Sequence, residues 1–204
     1  METWNTALFI ALNAPASANV VTIAFAKVAA EYLVYVAAVL AVCLWVRGSR
    51  DQRDALISIG TGLLTAFALS WTISLLWYHP RPFAIGLGHT LLAHSPDSSF
   101  PSDHTTFLWI FGFGLLVTRV QRGWGWALVL AGLATAWARI YVGVHFPLDM
   151  AGSAIVAATG AVVARVVHLH VTAHLLPLIE RPYEYLLQAL RLPRAIFPRG
   201  LSDR

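Results

Sequence analysis

The chain carries little charge of either sign. Only 12% of its 204 residues are charged, against about a quarter in soluble domains, which excludes an ordinary water-soluble globule. It has one cysteine, Cys43, so no intramolecular disulfide can form; its place inside an apolar run reads as a small core residue. It has one lysine, Lys27, beside thirteen arginines, and no basic low-complexity arm. The pI near 9.6 therefore does not point to nucleic acid. The sequence has no HExxH-like pair and no carboxylate cluster, so His104, His145 and Asp149 are not expected to hold a metal, and no cofactor is implied. There is no internal repeat.

What the chain does have is apolar sequence: 58% hydrophobic residues and a mean hydropathy of +0.66. Five runs, near 20–46, 55–78, 104–120, 124–143 and 148–168, approach the roughly 20 residues that cross a bilayer. The expected fold is an all-α integral membrane protein, a bundle of five transmembrane helices within one domain over residues 1–170. A tail, 171–204, follows on the cytoplasmic side; its stretch 180–192 has the spacing of an amphipathic surface helix, and a loose basic end comes after. Residues 1–14 are too short to span and begin without a basic residue, so a short interfacial or re-entrant helix anchored by Trp4 is expected rather than a cleaved signal. A sixth span would need Pro15 in a very tight turn.

Cation placement gives the orientation. Eleven of the fourteen Lys and Arg residues fall between runs one and two, between runs three and four, or at the end of run five and after it. If those are cytoplasmic, the remaining three, Lys27, Arg81 and Arg139, lie toward the exterior. Lys27 and Glu31 are four apart, on one face of a helix, and can pair.

The polar residues inside this apolar sequence fall in three clusters. They are His79-Pro80-Arg81-Pro82, Pro101-Ser102-Asp103-His104, and Arg139 with His145 and Asp149. Such residues are costly in a membrane and mark function. Pro80 and Pro82 hold Arg81 in an extended turn. The long polar loop 83–103 contains His89 and His94, read as solvated loop residues. Ser102 or Asp103 can cap the third span, leaving an N-terminus suited to an anion. His145 and Asp149 are four apart across the start of the fifth span, within hydrogen-bond reach.

These residue types suit phosphoryl transfer. Arg81 and Arg139 can clamp phosphate oxygens, with Ser102 and backbone N–H groups as further donors. His145 would attack phosphorus, Asp149 would fix its tautomer, and His104 would protonate the leaving oxygen and then activate water. The bland alternative is that the polar groups only lock helices together.

At these residues the chain resembles the type 2 phosphatidic acid phosphatase superfamily. Its pattern is Lys-x6-Arg-Pro, Pro-Ser-Gly-His and Ser-Arg-x5-His-x3-Asp; Arg81-Pro82, Pro101-Ser102-x-His104 and Arg139-x5-His145-x3-Asp149 match. Ser74 stands where the family has Lys, Asp103 where it has Gly, and Ala138 where it has Ser. Lys27 is the candidate replacement cation, and Asp103 would cap the helix or pair with an arginine. The motif forms are similar to the bacitracin-resistance branch, the undecaprenyl-diphosphate phosphatases. That resemblance implies a polyprenyl diphosphate substrate held in the bacterial plasma membrane and a site facing the periplasm or cell exterior. Another lipid phosphate (phosphatidylglycerol phosphate, phosphatidate or lipid A), a lipid phosphotransferase, or a small transporter or scaffold are the alternatives. Oligomeric state is not legible.

Overall fold

A computed structural model describes residues 3–170, 172–193 and 197. All regular structure among them is helical: α1 (Thr3–Leu12), α2 (Val20–Glu31), α3 (Leu33–Arg47), α4 (Arg50–Leu76), α5 (Asp103–Thr118), α6 (Arg122–Tyr141), α7 (Pro147–His170) and α8 (Thr172–Ala189). A short 3-10 turn, Pro82–Ile85, follows Arg81.

The centre is a layer of α4, α5 and α7, with α6 against α5 and α2 against α6. Small residues set these spacings. Gly62 of α4 faces Gly160 of α7 so closely that a Cβ on Gly62 would lie 2.3 Å from the Gly160 carbonyl oxygen. Without a hydrophobic drive between helices in lipid, such backbone approach supplies the packing. Fully buried Ile59, Leu108, Ile110, Leu115 and Leu128 fill the interior. Large apolar side chains such as Leu64, Trp71, Leu133, Ile155 and Val162 face outward, as a lipid-facing surface requires.

Two helices, α4 and α7, are long and apolar enough to cross a membrane among the described residues, or three if α2 and α3 form one bent span. The sixteen residues of α5 reach only about 24 Å, short of a hydrocarbon core near 30 Å. The expected continuous first span is instead broken at Tyr32, where α2 and α3 meet at 41°. The break has a physical cause: Thr135 Oγ1 donates to Ala29 O at 2.9 Å, and Arg139 Nη1 to Ala30 O at 3.5 Å. Both carbonyls belong to the last turn of α2, so α6 side chains enter the ladder there.

Two further expectations are corrected. Lys27 and Glu31 share α2 but no ion pair within 4 Å joins them among the described residues. Arg53, one of the cations between the first two runs, is buried, donates to Trp45 O, and pairs with Glu180 at 3.1 Å. The tail helix starts at Thr172 rather than 180 and packs back on α4 and α7, burying Leu176, Glu180, Glu184 and Leu187. Its opposite face, with Leu178, Tyr185 and Leu186, is exposed and apolar. The expected basic end lies mostly outside the described residues.

The N-terminal helix is short, as expected, and Trp4 is exposed, but α1 also docks on the bundle. Asn5 Oδ1 accepts from Leu148 N, and the Phe9 ring packs at a tilt against Phe146, centroids 5.2 Å apart. Asn13 then clamps two connections at once, donating to His89 O and Tyr141 O and accepting from His89 N. Those connections carry the site.

Candidate active site

Residues Val142–Phe146, which join α6 to α7, are all buried. Gly143 turns this segment at φ +84°, and a Cβ there would lie 2.2 Å from the His89 carbonyl oxygen, so the position needs glycine twice over. The turn presents His145. Its Nδ1 donates to Asp149 Oδ2 at 3.1 Å. Asp149 sits fully buried in the first turn of α7, where the same oxygen accepts from Phe146 N at 2.7 Å and from the Ser99 hydroxyl. The proton is therefore on Nδ1, and Nε2 carries the lone pair. Arg81 Nη1 lies 3.1 Å from Nε2 and Arg139 Nη2 lies 3.3 Å from it. Burial and the neighbouring guanidiniums, against the pull of Asp149, hold His145 down to about 3.

Each arginine is held from several sides. Arg81 lies between its two prolines in extended backbone, at φ −69° and ψ 154°. Its Nε donates to Asp97 Oδ1 at 2.7 Å, Nη2 to Ser98 O and Nη1 to Val144 O. Arg139 is buried in the last turn of α6, where a cation suits the helix C-terminus. Its Nη2 also donates to His94 Nε2 at 2.9 Å, while its Nε is buried with no partner among the described residues. Two guanidiniums converging on one imidazole lone pair, with a donor left over, make a place for a tetrahedral anion.

The structure brings Arg81, Arg139, His145 and Asp149 together as expected. His104, in the first turn of α5, lines a cavity of about 290 Å³ with Glu31, His94 and Arg139. Asp103 lines a second cavity, about 380 Å³, with Arg81 and Asp97. Ser102 departs from its expected part. It makes no side-chain cap; its fully buried hydroxyl lies 3.2 Å from Thr105 Oγ1, and its N–H donates to Ser153 Oγ. Lys27 lines neither cavity; from the same helix it is Glu31 that reaches one. Ser74, in the position of the family lysine, donates to Phe100 O and lines the Arg81 cavity. Ala138 is buried against Ala26, Ala29 and Ala30, where a small side chain lets α2 approach α6.

Four residues went unassigned or misread in the sequence. Asp97 holds Arg81, and Arg81 in turn keeps its carboxyl below the usual range, although burial works the other way. His94, read as solvated, is only 20% exposed at its side chain and packs over His145 with ring centroids 6.3 Å apart. Burial first, then Arg81, pushes its pKa down. Ser99 lies between His145 Nδ1, 3.3 Å away, and Asp149. His79 Nδ1 is 3.5 Å from Asp149 Oδ1, its ring wedged between Phe146 and Trp77. The weak signal for all four was position: each is within eight residues of an arginine or the motif serine, in the only long polar loop or at its edge.

A buried histidine with its tautomer fixed by a carboxylate, facing two arginines at the end of a helical bundle, defines a phosphate-handling membrane enzyme site. The chain belongs to the PAP2 superfamily, which its residues 55–172 match. It is 38% identical over 168 residues to the putative undecaprenyl-diphosphatase YbjG of Escherichia coli, covering 82% of this chain and 84% of that one. It is 36% identical over 127 residues to the undecaprenyl-diphosphatase BcrC of Bacillus subtilis, covering 62% of this chain and 65% of that one. The crystal structure of Aquifex aeolicus LpxE shares the fold, with a TM-score of 0.63 over 80% of this chain and 95% of that one at 22% identity.

Proposed function

We propose that this lipid phosphatase hydrolyses undecaprenyl diphosphate to undecaprenyl phosphate and inorganic phosphate, recycling a cell-wall lipid carrier. The observation that carries the reading is His145 Nε2 between Arg81 and Arg139 with Nδ1 on Asp149. The names of YbjG and BcrC supply the lipid class.

The terminal phosphoryl group would displace His94 from Arg139 and lie against both guanidiniums. Nε2 of His145 attacks phosphorus as the bridging P–O bond breaks. Asp149 stabilises the imidazolium character that develops. His104 supplies the proton to the departing lipid phosphate, then takes one from the water that cleaves the P–N bond. Ser102 acts through the α5 N-terminus it begins, and Asp103 borders the Arg81 cavity. Charge neutralisation falls to the arginines, so the mechanism uses no metal.

We place the chain in the plasma membrane as a five-span bundle, with α2–α3, α4, α5, α6 and α7 as spans. The α3–α4 and α5–α6 connections carry Arg47, Arg50, Arg53, Arg119 and Arg122, and the site lies at the other ends of those helices. With the cationic ends in the cytoplasm, the site faces outward.

The test is phosphate release by purified protein in excess chelator, across undecaprenyl diphosphate, phosphatidylglycerol phosphate, phosphatidate and lipid A. The reading expects the diphosphate to lead in kcat/KM by at least tenfold, vanadate to inhibit, and His145→Ala to abolish release. A lead by a monophosphate ester, or release that needs a divalent cation, would overturn it.

A further inference from the structure

An apolar groove of about 610 Å³ runs along α3. Its wall includes Tyr32, Tyr35, Val39, Cys43 and, at the far end, Arg47 and Trp124. Tyr32 and Tyr35 also line the cavity that holds Glu31, His94, His104 and Arg139. The two hollows thus share a wall at the 41° break between α2 and α3. One is polar and ends on the reacting histidine's arginine; the other is apolar and leads away from it along the bundle.

We infer that this groove holds the isoprenoid chain of the substrate, with the two tyrosines at the neck between diphosphate and tail. The inference rests on the proposed function and adds where the lipid lies. Any outward apolar side chain in a bilayer touches some acyl chain, so exposure alone argues nothing. Two observations single out this surface. It is concave and shares Tyr32 and Tyr35 with the catalytic cavity, whereas the apolar hollow between Phe113, Leu116, Ala158 and Val162 shares no wall with either cavity of the site. It is also long. From Tyr32 to Arg47 the helix rises about 22 Å at 1.5 Å per residue. One leaflet of a core near 30 Å thick is only about 15 Å deep. A diacyl chain anchored at the site ends near the midplane, but a chain filling this groove passes it. A polyprenyl tail has the length to fill the whole surface.

Cys43 reports on that groove. It is the sole cysteine of the chain, is exposed rather than the small core residue its apolar run suggested, and lies eleven residues beyond Tyr32, about 16 Å along the helix. Alkylation by a bulky pyrenyl maleimide, in detergent and after folding, fills the groove below the neck; mass spectrometry confirms the single modification. The expected result is at least a tenfold rise in KM for the C55 diphosphate, with geranyl diphosphate, too short to reach Cys43, changed by less than twofold. Conversely, undecaprenyl phosphate should slow alkylation at least fivefold, while dihexanoyl phosphatidate at equal concentration, its chains too short to reach Cys43, should not. An unchanged C55 KM, an equal loss on both substrates, or equal protection by both lipids would overturn the inference. If unmodified protein released phosphate from no diphosphate, the functional reading would fall, and the protection experiment alone would still decide what the groove binds.

Discussion

Replacing Asp149 by Asn isolates the part of the site that sets the nucleophile. The Asp149 carboxylate accepts from His145 Nδ1, Phe146 N and the Ser99 hydroxyl, all on Oδ2. An Asn carbonyl set at the Oδ2 position keeps all three, because an amide there would face the Phe146 N–H; the amide then takes the Oδ1 position and faces His79. The tautomer is kept and the charge is lost. A hydrogen bond to a charged group is worth about 1.5–3 kcal/mol, and that is lost as the imidazolium develops, a factor of about 10 to 150 at 1.4 kcal/mol per tenfold. A fall of about 10- to 150-fold in kcat is therefore expected, with KM within threefold because both arginines stay in place. The assay is single-turnover phosphate release with substrate affinity measured in parallel. An unchanged kcat, or a loss carried wholly by KM, would refute the charge argument.

Other outcomes follow from the same geometry. Asp97→Asn should raise KM about three- to tenfold with little change in kcat, since it loosens Arg81 from a rim position whose side chain is 59% exposed; a kcat-only effect would contradict this. Because His145 is held at about 3 in the folded state and near 6.5 when unfolded, the unfolded chain binds the extra proton as pH falls. Stability should decline from about pH 6.5 toward 3, and His145→Asn should flatten that slope in thermal melts. Glu180→Gln should lower the melting temperature while leaving kcat within twofold, because the pair with Arg53 is buried at the opposite end from His145. Breaking such a pair costs about 3–5 kcal/mol. Lys27 lines neither cavity, so Lys27→Met should leave KM within twofold; a tenfold rise would restore the phosphate contact read from the sequence.

Much of the site was legible because membrane sequence makes polar residues conspicuous. Arg81, His104, Arg139, His145 and Asp149 stood out against apolar neighbours, and the four-residue spacing of the last pair already gave their contact. The loop residues were not legible in the same way. His94, Asp97 and Ser99 lie among serines and prolines, where polarity is ordinary, and it takes distant contacts, among them the Asn13 clamp and the bonds from Arg81 and Arg139, to hold the loop over His145. The break at Tyr32 was hidden because no proline or glycine marks it; its cause is two α6 side chains more than a hundred residues away. Arg53 and Glu180 are 127 residues apart, and each alone reads as a surface charge. Helix existence was clear from hydropathy. Helix ends moved by a few residues, as caps and packing set them.

The most direct test is to find the phosphate itself. The protein, mixed with undecaprenyl diphosphate labelled in its terminal phosphoryl group and quenched in alkali within milliseconds, should carry an acid-labile phosphate on Nε2 of His145. Label on another residue, on Nδ1, or on none while turnover proceeds would contradict attack by this imidazole.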